Sequence, residues 1–129
     1  MAGNRWLRER LPRMRFTKRA VRKFMPGEDA ESALVAAEAY RSDGIRAMFT
    51  RLGENLVRIE DADAIADHYL GLIDTITSRG IDGEISVKLT QLGFDLDEER
   101  TFNHVSTLAD RAKAAGKTLW IDMESSAFV

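Results

Sequence analysis

The chain has no cysteine, so it has neither a disulfide framework nor a thiolate nucleophile. It has only two histidines, His68 and His104, which argues against a histidine-rich metal site. Ser125 and Ser126 have no histidine placed to activate them, which argues against hydrolysis. No stretch approaches the roughly 18 apolar residues of a membrane span. The basic N-terminus is not followed by the apolar core of a signal peptide, so a cytoplasmic address is the default. No glycine-rich dinucleotide fingerprint or phosphate loop follows any predicted strand. That absence leaves a flavin open, because barrels can bind one through late loops. The 129 residues suffice for one modest domain.

The net charge of -2 conceals a division. Residues 1–23 carry nine Lys or Arg and one acid, Glu9. Against ten basic residues, the remainder carries twenty acids (19 minus 9, and 21 minus 1). Leu7, Leu11 and Met14, and then Val21 and Phe24, fit a helix face, with Pro12 kinking or dividing the run. Residues 1–25 therefore read as a basic amphipathic arm. Three readings of it are open: a helix lying across the acidic body, a peripheral contact with a membrane surface, and nucleic-acid binding. The last is the weakest, because nothing else suggests a groove-reading module.

Pro26-Gly27 ends the arm. A helix is predicted from Glu28 to Tyr40, with Ala30, Leu34 and Ala37 in its apolar stripe and Gly44 stopping it. Ile45 to Leu52 reads as a first strand. Asp61 to Arg79 is the clearest helix, with Ile65, Tyr69, Leu72, Ile73 and Ile76 at helical spacing and Gly80 at its C-terminal end. A second strand follows from Glu84 to Thr90. Gly93 reads as a loop residue with an unusual backbone angle. Asp95 with Glu98 resembles a capping box. Phe102, Val105, Leu108, Ala109 and Ala112 line the next helix, and Gly116 closes it. The third strand runs from Thr118 to Glu124. The order is a helix and then β-α-β-α-β, which implies parallel strands.

Three parallel strands do not close a barrel. An eight-stranded barrel takes about 250 residues, and the third strand would present an open edge. The fold class accordingly reads as α/β, the N-terminal portion of a larger domain or one that borrows its missing edge from a partner such as a second copy.

The second strand carries the chemistry. Ile85, Val87 and Leu89 alternate with Glu84, Ser86, Lys88 and Thr90, so the two sets face opposite ways. An interior lysine is costly unless paired. Asp122 falls at the matching height on the next strand, about 4.8 Å away. A carboxylate neighbour favours the ammonium form, which suits anchoring of a substrate carboxylate better than imine formation. The alternative is an interior salt bridge that only fills the lumen. Glu84, Glu124 and Arg51 extend the same polar set, with Glu84 more structural. Thr90 and Gln91 offer hydrogen bonds. Trp120 reads as a core residue rather than a cofactor platform.

The run Glu84-Ile85-Ser86-Val87-Lys88-Leu89-Thr90-Gln91-Leu92-Gly93, with Trp120-Ile121-Asp122-Met123-Glu124-Ser125-Ser126, resembles bacterial proline dehydrogenase. Phe24-Met25-Pro26-Gly27-Glu28 and Leu52-Gly53-Glu54 are similar to upstream segments of that family. The resemblance implies that residues 26–129 are the N-terminal portion of a distorted (β/α)8 barrel. It implies an FAD enzyme that oxidises L-proline to Δ1-pyrroline-5-carboxylate and passes electrons to a membrane quinone. Lys88 matches the lysine that contacts the proline carboxylate, Asp122 an active-site acid, and Met123 a residue whose backbone touches the flavin. The family's paired substrate-binding arginines and most FAD ligands come later than this chain reaches. A truncated, non-catalytic partial barrel is therefore an alternative, as is a class I aldolase using Lys88.

Overall fold

The computed structural model describes residues 29–53 and 56–122. The basic arm, Glu54 and Met123 to Ser126 lie outside the described residues. Helix α1 spans Ala30–Arg41, and Asp29 caps it by accepting the Ser32 N–H at 2.7 Å. Strand β1 (Ala47–Phe49) leads to helix α2 (Ile59–Ser78). Strand β2 (Gly83–Lys88) is followed by a 3-10 turn at Thr90–Leu92. Helix α3 (Glu98–Ala114) and strand β3 (Leu119–Asp122) complete the described chain.

The three strands form one parallel sheet in the order β1-β2-β3. Among the described residues, β2 alone is paired on both sides. The helices cover one face. Ile85 and Val87 project into that layer and meet Tyr69, Ile73 and Ile76 of α2 and Leu108 and Ala112 of α3 in a common core. Each large apolar side chain buried there contributes about 1.5–3 kcal/mol. Gly83 faces the same layer, because a Cβ there would stand 2.7 Å from Phe49 Cε2.

Several boundaries differ from the sequence expectation. Strand β1 is shorter than the predicted Ile45 to Leu52, because the backbone of Arg51 and Gly53 bonds to side chains from α2 and the β2 exit. Strand β2 stops at Lys88, since Leu89 already adopts a helical conformation (φ -62, ψ -37). The capping residue of α3 is Asp97 rather than Asp95, and its carboxylate accepts the Arg100 N–H at 2.9 Å. The preceding turn accounts for the shift: Gly93 has φ +96, and its carbonyl accepts the N–H groups of both Leu96 and Asp97.

Phe102 was expected on the packed face of α3, yet it is 70% exposed. Thr101 takes the inward position instead, its hydroxyl donating to the Leu92 and Asp97 carbonyls. Ala109 is likewise exposed. The helices are also tied at the surface. Asp63 of α2 receives the Arg100 guanidinium, and His104 Nε2 stands 3.0 Å from its Oδ1.

Candidate active site

The sheet face away from the helices carries the alternate side chains. Because strand register is parallel, Met48 lies beside Glu84, Ser86 beside Trp120, and Lys88 beside Asp122, all projecting the same way. No layer covers this face among the described residues, so Met48 is 57% and Trp120 48% exposed. Trp120 is therefore a surface residue here, not the core residue its composition suggests.

The face is charged at both ends. At the N-terminal end, Arg46 bonds Asp82 at 3.0 Å and Glu84 at 3.1 Å, and Trp120 Nε1 donates to Glu84 Oε2 at 2.6 Å. The Trp120 hydrogen bond, with Thr118 and Arg46, holds the Glu84 carboxyl below its ordinary value. Glu84 is thus engaged about 13 Å along the strand from Lys88, in a structural role. At the C-terminal end, Lys88 Nζ stands 3.4 Å from Asp122 Oδ2, with the lysine mostly buried and the aspartate half exposed. An ammonium and a carboxylate of this accessibility can bind the two charged ends of an amino acid. The C-terminal end of parallel strands is also where barrel enzymes place their chemistry.

A second polar cluster lies beneath the same end of the sheet. Gln91 Nε2 donates to the carbonyls of Arg51 (2.6 Å) and Gly53 (2.5 Å). Tyr69 donates its hydroxyl to Gln91 Oε1 at 3.3 Å and accepts the Arg51 N–H at 2.8 Å. Arg51 therefore joins through its backbone, while its side chain is exposed. Periodicity places Tyr69 among aliphatic residues of α2. The one signal of a further role is that a buried tyrosine hydroxyl needs a partner. A cavity of about 610 Å³ lies on the helix side, lined by Asp29, Phe49, Arg51, His68 and Tyr69 among others, and neither Lys88 nor Asp122 borders it.

The sequence model of the family described as Proline dehydrogenase matches residues 33–129. The chain belongs to the proline dehydrogenase family. It is 32% identical over 108 residues to Proline dehydrogenase 1 of Bacillus subtilis subsp. natto, an alignment covering 84% of this chain and 36% of that protein. It is 31% identical over 119 residues to Proline dehydrogenase of Deinococcus radiodurans, covering 90% of this chain and 38% of that protein. The chain thus spans little more than a third of these curated relatives. The matched segment of this proline dehydrogenase family member includes Lys88, Asp122, Tyr69 and Gln91. Met123 belongs to the same segment but lies outside the described residues.

Proposed function

We propose that this chain supplies the first strands of a (β/α)8 barrel that oxidises L-proline to Δ1-pyrroline-5-carboxylate. The observation that carries the reading is the Lys88–Asp122 pair, in register at the C-terminal end of neighbouring parallel strands of a proline dehydrogenase family member. In the overall reaction the proline ring loses a hydride from Cδ and a proton from nitrogen, and the C–N bond becomes C=N. FAD, when bound, supplies the hydride acceptor, and a quinone takes the electrons onward.

The chain's own part is placement and charge. Lys88 holds the proline carboxylate through a charge-assisted hydrogen bond. Asp122 orients the lysine. The described residues fit one flank of a flavin site. Among the described residues no layer covers the face bearing this pair, and half-exposed Trp120, two residues before Asp122 on β3, gives it apolar surface that a planar ring system can cover. Backbone contact of Met123 with the flavin is part of the same proposal.

The basic arm of residues 1–23 supplies a peripheral contact with anionic lipid, near the quinone. Among the described residues no helix is long and apolar enough to cross a membrane. Cosedimentation with anionic liposomes, with and without the arm, tests this contact, and equal binding ends it. The activity itself is tested by adding L-proline to the FAD-loaded protein. Bleaching of the flavin's visible absorbance is expected. Protein that takes up no flavin, or a spectrum that proline leaves unchanged, supports a non-catalytic partial barrel instead.

A further inference from the structure

We infer that Gln91 is a positioning residue whose amide fixes the β1 exit loop against the turn that carries Lys88. The loop then forms one wall of the mouth assigned above to proline, and the inference rests on that assignment. Gln91 is 1% exposed, and it gives both N–H bonds to one loop, at the Arg51 and Gly53 carbonyls. Tyr69, fully buried, closes the knot by bonding Gln91 Oε1 and the Arg51 N–H. The grip is on the loop's backbone: Leu52, between the two bonded residues, is 87% exposed.

The placement of that loop is set by register. Phe49 pairs with Ile85. Because β1 runs parallel to β2, its exit loop leaves at the same end of the sheet as Lys88. Gln91 follows Lys88 by three residues, all within a tight turn: Leu89 is helical, Thr90–Leu92 is 3-10, and Gly93 is left-handed. One short segment therefore holds the ammonium at one end and grips the neighbouring loop at the other. A buried amide left half-paired is costlier than the net worth of its bonds, so the knot holds as a unit.

The test uses the 129-residue chain with Gln91→Leu, Tyr69→Phe and Lys88→Ala, read by amide exchange and by NMR titration with L-proline. Both knot variants should speed exchange at Arg51 by about fivefold or more while β2 amides stay protected. Gln91→Leu should weaken L-proline binding by about tenfold. A purely structural role predicts the opposite division, with faster exchange throughout the core and unaltered affinity in the folded protein. Unchanged exchange at Arg51, or unchanged affinity in Gln91→Leu where Lys88→Ala weakens binding, overturns the role of Gln91. No proline binding by the unsubstituted chain, or unaltered affinity in Lys88→Ala, overturns the assignment of the mouth. Exchange at Arg51 then still decides whether the amide holds the loop.

Discussion

Lys88 and Asp122 stand opposite one another on adjacent parallel strands, their charged atoms 3.4 Å apart on the face that none of the described helices covers. Most of the polar groups on this face belong to a network at the other end of the sheet, where Arg46, Asp82, Glu84 and Trp120 satisfy one another. The Lys88–Asp122 pair is set apart from that network by the length of β2.

Removing either member of the pair should impair proline turnover in the complete enzyme. A hydrogen bond to a charged group is worth about 1.5–3 kcal/mol, so Lys88→Ala and Asp122→Ala should each lower kcat/KM by roughly ten- to hundredfold. Steady-state proline oxidation reads the effect. Unchanged efficiency in both variants would remove them from the site.

Class I aldolase chemistry at Lys88 requires a free amine that forms an imine. The ion pair with Asp122 favours a charged anchor instead. Borohydride treatment in the presence of an aldehyde substrate should leave Lys88 unmodified in a peptide mass map. A reduced adduct on that residue would favour the aldolase.

Stability should depend on acid through Glu84. Its carboxyl is held below the ordinary value of 4.5, first by the Trp120 hydrogen bond. A depressed value in the folded state means that the contribution is fully present above about pH 5 and is lost as pH falls through the folded value. Glu84→Gln should therefore lower Tm most near neutrality, with the difference from the unsubstituted protein shrinking below about pH 4.5. A Tm difference independent of pH would contradict the assignment.

Gly93→Ala should destabilise the fold. The residue has φ +96, and a Cβ there would stand 2.5 Å from Ile59 Cδ1 and 3.3 Å from Ala62 Cβ. Backbone strain and overpacking together cost on the order of 2–4 kcal/mol. Urea unfolding should show a lower midpoint at unchanged slope. A midpoint within error of the unsubstituted protein would mean that the turn relaxes freely.

Asp63→Ala should loosen α3 from α2, because Arg100 and His104 both approach this carboxylate. The pair with Arg100 is part-exposed, so its loss should cost only about 0.5–1 kcal/mol. A double-mutant cycle with Arg100→Ala would measure the coupling, and additive effects would deny it.

The sequence alone determined the order of elements, the parallel sense of the strands and the polar face of β2. Those properties follow from periodicity, helix-ending glycines and the crossover rule, all of which act within short stretches of chain. The family was equally legible, since it rests on the runs around Lys88 and Asp122. Only the tertiary structure decided which polar groups find one another. Glu84 turned to Trp120 and Arg46, Thr101 displaced Phe102 from the packed face, and Tyr69 found Gln91 and the β1 exit loop. Such pairings depend on the relative height of elements distant in sequence, and side-chain spacing within one element carries no record of that height.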